Sequence, residues 1–257
     1  MAEIAMSARV SARGVRYTRR GAGRPVILLH GWCLNRKMWA YAEQGLSASY
    51  DVVTPDLPGF GLSCDLAGPY SFDRLAADVV ALLDELGLED AVLVGFALGA
   101  AVALKAAAAR PGRVAGVVSV AIPSGKASPY DKFAKAMRRD WPGFARKSAE
   151  ALFHNHHSAA EIGWLERMFS ATELAVALEA VDELARLQPE SLAKDVEAVQ
   201  LFLHASHDTV APVALGKACV AEAPNARLAV IGDCGHLIVL DDKAAFQAEL
   251  ENFINTL

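Results

Sequence analysis

Short aliphatic runs punctuate the chain at residues 26–29, 51–54, 92–94, 114–120, 201–203 and 228–231. They lack the in–out alternation of a half-solvated strand, so they read as strands of a parallel sheet covered on both faces. Residues 15–19 read as the second strand of an amino-terminal hairpin, with a turn at Arg20-Gly21-Ala22-Gly23. Between the runs the period changes. Phe72, Leu75, Ala76, Val79, Leu82, Leu83 and Leu86 recur at helical spacing, and Gly87 marks the stop. Residues 99–110, 213–221 and 244–254 add three further helices. Strands alternating with helices predict an α/β fold: a doubly wound, mostly parallel eight-stranded sheet with right-handed crossovers.

One interval breaks this rhythm. Residues 123–195 contain no convincing strand, only helical segments broken at Pro129, Pro142, the Asn155 region and Pro189. A helical lid inserted after the sixth strand accounts for it. The expected organisation is a core of residues 1–122 and 196–257 with a lid of residues 123–195, without repeats or low-complexity linkers.

Composition narrows the function classes. A chain of 257 residues, 53% hydrophobic, can bury a large core. Its net charge of −5 gives no reason to expect nucleic-acid binding. Residues 1–10 carry Glu3 and lack the apolar core of a signal peptide. No segment reaches the roughly 18 uninterrupted apolar residues of a membrane span. Cys33, Cys64, Cys219 and Cys234 form neither a CxxC pair nor a zinc spacing. Reduced thiols in the cytoplasm, with structural rather than reactive roles, are the expectation.

The candidate chemistry begins with a substitution. Val94-Gly95-Phe96-Ala97-Leu98-Gly99 follows the frame Gly-x-Ser-x-Gly, in which a strand turns sharply into a helix and presents a nucleophile. Here Ala97 occupies the nucleophile position. Asp208, in the run His207-Asp208-Thr209, follows the strand at 201–203, and His236, in Cys234-Gly235-His236, follows the strand at 228–231. Both fall at the carboxyl edge of the sheet, where such folds place their ligands. In this order a histidine takes the nucleophile's proton and an aspartate fixes its tautomer. His30-Gly31-Trp32 follows the strand at 26–29, so the backbone N–H groups of Trp32 and Leu98 are the candidate oxyanion donors. The Trp32 ring is expected to wall the acyl pocket.

These elements, with Asp56-Leu57-Pro58-Gly59-Phe60-Gly61-Leu62-Ser63, resemble the α/β-hydrolase superfamily over the whole chain. Within it, His30-Gly31-Trp32-Cys33-Leu34-Asn35 with Trp39, and Arg139-Asp140-Trp141-Pro142-Gly143, are similar to the pimeloyl-carrier-protein methyl ester esterases. Non-haem perhydrolases and small arylesterases share much of the pattern. Cys33 stands where the esterases tend to have glycine, and Ala97 replaces their serine. The resemblance implies hydrolysis of a carboxylic ester, lactone or thioester through an acyl-enzyme, with no cofactor or metal.

Alanine cannot attack a carbonyl. Loss of the serine from such a triad costs on the order of 10⁶ in turnover, so the chain is expected to bind substrate and turn it over barely or not at all. Deliberate inactivation and a natural binding or sensing protein both account for Ala97. A His-Asp base enzyme, a lyase or cofactor-free oxygenase, is the other class. Residues 126–150 hold seven basic side chains against three acidic, a net +4, whereas acids dominate 159–197. The basic half either docks an acidic partner such as an acyl-carrier protein or is a solvated face pairing with the acidic half. Trp141, Phe144, Phe153, Trp164, Met168 and Phe169 suffice to roof an apolar pocket. His154-Asn155-His156-His157 lacks ligand partners at metal spacing and reads as a polar loop.

Overall fold

In a computed structural model, residues 8–126 and 130–257 are described. Pro129, one of the expected helix breaks, lies outside them, as does Glu3. One eight-stranded sheet organises the molecule, in the order β1-β2-β4-β3-β5-β6-β7-β8. The strands are β1 (Arg9–Val10), β2 (Arg16–Arg20), β3 (Pro25–Leu29), β4 (Asp51–Pro55), β5 (Ala91–Phe96), β6 (Val114–Val120), β7 (Val199–Ala205) and β8 (Ala226–Ile231). β2 runs antiparallel to β1 and β4, and the remaining pairs are parallel. The expected mostly parallel sheet is therefore present. After the glycine turn β2 pairs with β4, leaving β3 to pair between β4 and β5.

The aliphatic runs explain the middle of the sheet. Every residue of β4 and β5 is buried, because helices cover both faces. Edge strand β8 departs from that expectation: Ile231 is buried, but its other residues are partly or fully exposed, Val230 at 47%.

The helices are α1 (Ala40–Leu46), α2 (Phe72–Leu86), α3 (Leu98–Ala109), α4 (Tyr130–Arg139), α5 (Trp141–Ala151), α6 (Ala159–Ser170), α7 (Leu174–Leu184), α8 (Pro189–Lys194), α9 (Val213–Glu222), α10 (Ile238–Asp241) and α11 (Lys243–Ile254). Local chemistry sets their ends. Ser71 caps α2 by accepting from Arg74 N–H, and Gly87 ends it in the left-handed conformation (φ 61°). A reciprocal Ser158–Glu161 capping box opens α6. Helical segments do break at Pro142 and Pro189: each proline lies in the first turn of the helix that follows, α5 and α8, where its missing N–H costs nothing.

Helices α4–α8 occupy the interval between β6 and β7, and no strand interrupts it among the described residues. The short α8 packs on α3 and α9, beside the sheet. α4 meets α5 and α7, and α5 meets α6.

Candidate active site

The end of β5 sets the site. Ala97 follows Phe96 with φ 49° and ψ −107°, a region that residues bearing a Cβ seldom adopt. Its N–H donates to Val120 O (2.9 Å) and its C=O accepts from Ala100 N–H (3.1 Å), so both sides of the residue are pinned. The flanking glycines are steric necessities. A Cβ on Gly95 would stand 2.1 Å from Gly99 O, and one on Gly99 would stand 2.3 Å from Leu29 O. Helix α3 can thus begin against the carboxyl ends of β3 and β5 only without those side chains. Leu98 is its first residue, so the Leu98 N–H has no intrahelical acceptor.

The structure brings Asp208 and His236 together. His236 Nδ1 and Asp208 Oδ2 are 2.8 Å apart in a pair that is almost wholly buried. Asp208 Oδ1 accepts from the N–H groups of Val210 and Ala211, each at 2.8 Å. Burial pushes the Asp208 carboxyl up. The His236 charge and the three hydrogen bonds outweigh it and hold the group below its ordinary value. An ionised Asp208 accepts from His236 Nδ1–H, so the ring's Nε2 is turned away from the carboxylate. The Phe96 ring lies 5.0 Å from the imidazole and fixes its other side.

Ala97 and His236 line one cavity of about 130 Å³, together with Trp32, Phe133, Phe144 and Ser148. The Trp32 Nε1–H donates to Ala177 O (3.0 Å). Its ring meets those of Trp141, Phe144 and Phe169 edge-on or tilted, within 6.5 Å. Of the six apolar residues considered as a roof, Phe144 and Phe169 reach the cavity. Trp164 lines a separate depression beside Tyr41, and Phe153 stacks on His157. A larger open groove of about 730 Å³ lies between α2, α3 and α8 and holds none of the site residues.

Neighbouring motif residues hold the frame. His30 is fully buried: Nδ1 meets Gly31 O at 2.9 Å, and Nε2 accepts from Leu57 N–H at 2.9 Å. Burial lowers its pKa, so it stays neutral and ties β3 to the turn after β4. Asp56, also buried, accepts from Arg36 N–H (2.7 Å) and Leu62 N–H (2.9 Å) and pairs with the Arg36 guanidinium. The sequence marked Asp56 as part of a motif without showing this lock. Cys33 adopts φ 54°, which explains why glycine suits that position. Burial pushes the Cys33 thiol far up, against a smaller opposing pull from Thr172. Burial likewise raises Cys234 to about 11. Neither thiol lines the cavity.

Between the basic half of the insertion and its acidic half, the one ion pair among the described residues is Arg146–Glu166 (3.3 Å). The histidine run forms no metal-binding group among the described residues. No helix among them is long and apolar enough to cross a membrane.

A family profile described as the alpha/beta hydrolase fold matches residues 24–162. The chain belongs to this family. A pimeloyl-[acyl-carrier protein] methyl ester esterase from Aromatoleum aromaticum is 30% identical over 232 residues, spanning 82% of this chain and 90% of its own. An esterase from Rhodococcus superposes with a TM-score of 0.84 at 26% identity, covering 98% of this chain and 100% of its own. A bromoperoxidase from Bacillus anthracis superposes with a TM-score of 0.91 at 22% identity, covering 97% and 100%, and shares the fold.

Proposed function

We propose that this α/β-hydrolase is built to cleave a carboxylic ester, lactone or thioester, and that Ala97 leaves it holding such a substrate uncleaved. The observation that carries the reading is the His236–Asp208 pair opening onto the same cavity as the position-97 side chain. With serine at 97, the hydroxyl would attack the acyl carbon while His236 Nε2 took its proton. The N–H groups of Trp32 and Leu98 would hold the developing oxyanion. The same proton would pass to the departing alcohol, and water would then release the acid.

The cavity favours an apolar acyl group. Its walls are almost entirely hydrocarbon and aromatic, and about 130 Å³ is slightly less than the roughly 150 Å³ that accommodates benzene in a protein core. In this reading residues 123–195 act as the lid of the core formed by 1–122 and 196–257, because α4, α5 and α6 supply the cavity's outer wall.

The decisive experiment is Ala97→Ser against esters, lactones and carrier-linked acyl esters. Turnover should rise by on the order of 10⁶ for at least one substrate; a variant that is folded yet hydrolyses none of them refutes the reading. The carrier-protein form of the substrate rests on α4, where exposed Lys132, Lys135, Arg138 and Arg139 have no ion-pair partner among the described residues. Reversing Arg138 and Arg139 should weaken binding of a carrier-linked ester at least tenfold at low salt and leave a free methyl ester unaffected. Equal affinity for both ligands before and after reversal removes the docking role.

A further inference from the structure

Both amides that flank His236 are held from outside its own turn. Leu237 N–H donates to Leu152 O in the insertion at 2.9 Å. Gly235 N–H donates to Asp241 Oδ2 at 2.7 Å. Asp241, the last residue of α10, has a completely buried carboxylate. That carboxylate also accepts from His154 N–H (2.9 Å), Asn155 N–H (3.3 Å) and His157 Nε2 (2.8 Å). Its two oxygens therefore satisfy one amide on the catalytic-histidine turn and three donors on residues 154–157.

Further contacts follow the same seam. Asn155 Nδ2–H donates to Asp233 O at 2.9 Å. The His154 ring stacks on that of His207, next to Asp208, with centroids 4.0 Å apart. Gly235 is pressed against the insertion so closely that a Cβ there would lie 2.7 Å from His154 N. Asp241 itself does not line the cavity.

We propose that Asp241 is a positioning residue: its buried carboxylate fastens residues 152–157 of the insertion to the Gly235–His236 turn, and so sets where the imidazole stands relative to position 97. For its place in a reaction the proposal rests on the hydrolase reading above. The chemistry demands a carboxylate, which is acceptor-only and can serve four donors. In Asp241→Asn one oxygen becomes an NH₂ group, which must face two donors whichever way the amide is turned.

Two readouts test it, the first on the protein as it stands. The proton on His236 Nδ1, shared with Asp208, gives an NMR resonance that can be assigned by its disappearance in His236→Gln. Asp241→Asn, Gly235→Ala and His157→Phe should shift or broaden it, whereas His157→Gln, which keeps an N–H donor, should restore it. In the Ala97→Ser background, Asp241→Asn should lower kcat tenfold or more with KM within twofold. A carboxylate that served folding alone would lower Tm and leave the resonance and kcat unchanged; that result overturns the proposal. Should Asp241→Asn fail to fold, an unaltered resonance in both Gly235→Ala and His157→Phe overturns it equally. A resonance that moves as expected in a protein whose Ala97→Ser form hydrolyses nothing supports the positioning role and sinks the esterase reading instead.

Discussion

Replacing Ala97 with glycine should stabilise the protein. At φ 49° and ψ −107° the alanine Cβ crowds its own backbone, a conformation that costs about 1–3 kcal/mol. Relaxation is blocked, because Val120 O and Ala100 N–H hold the two sides of the residue and Gly95 and Gly99 sit in backbone contact. Glycine adopts this conformation freely. Two effects oppose the gain. Glycine's extra freedom in the unfolded chain costs about 0.4–1 kcal/mol. The lost methyl, buried but with one side on the cavity, costs somewhat less than the ~0.8 kcal/mol of a fully buried carbon. A net gain of about 1 kcal/mol corresponds to a Tm rise of about 2 °C for a chain of this length. Differential scanning calorimetry measures it, with Ala97→Ser as the control, since serine keeps the Cβ and with it the strain. A glycine variant that melts below both parent and serine variant would show that the turn is relaxed and the strain argument wrong.

Other outcomes follow from buried charge. Arg36→Met should lose about 3–5 kcal/mol in urea unfolding, because the buried Asp56 is left without its cation. Arg16→Met, whose partner Asp65 is 60% exposed, should leave the urea midpoint almost unmoved; equal losses for the two would refute the burial argument. The Asp208 carboxyl is held below its ordinary value in the folded state, so its ionised form favours folding. That contribution is complete above the unfolded carboxyl's value of about 3.9 and is lost as pH falls through the lower, folded value. Urea midpoints from pH 7 down to 2 should therefore fall less steeply for Asp208→Asn than for the parent, and parallel curves would contradict the assignment.

Much of the fold was legible in the sequence because burial on both faces leaves a plain mark. β6 coincides with its apolar run, and β3, β4, β5 and β7 extend theirs by a residue or two at one or both ends. Polarity patterns fail where solvent returns or where the chain turns without glycine or proline. β8 lies at the edge and is only partly covered, and the break between α6 and α7 falls at Ala171-Thr172, with no breaker residue to announce it. Prolines were ambiguous because the same ring ends one helix and begins the next. Within the site, the frame of Gly95, Ala97 and Gly99 and the strand-end positions of Asp208 and His236 were readable from local order. Asp241 was not: it sits in Leu240-Asp241-Asp242, and only the meeting of two distant loops distinguishes it from its neighbour, which caps α11. The cavity walls Phe133 and Ser148 were hidden for the same reason, whereas Phe144 was readable as an aromatic of the insertion.

The residues around Ala97 bear on why the site looks as it does. A pocket that merely binds an apolar ligand gains nothing from a backbone held at positive φ, nor from a buried imidazole–carboxylate pair beside it. Such a pair carries a desolvation penalty that well-packed hydrocarbon of equal volume avoids, often with a gain in stability. Free to drift, a binding pocket would relax the turn and replace His236 or Asp208 with apolar groups. Instead the pair keeps its 2.8 Å bond, Asp208 keeps both of its amide donors, and the strained turn keeps its two glycines. Each of these suits a nucleophile at position 97, as the proposed hydrolase requires. The proposed hydrolase reading accounts for all of them at once: in it, the alanine stands for a single hydroxyl in a site otherwise fitted to a reacting carbonyl.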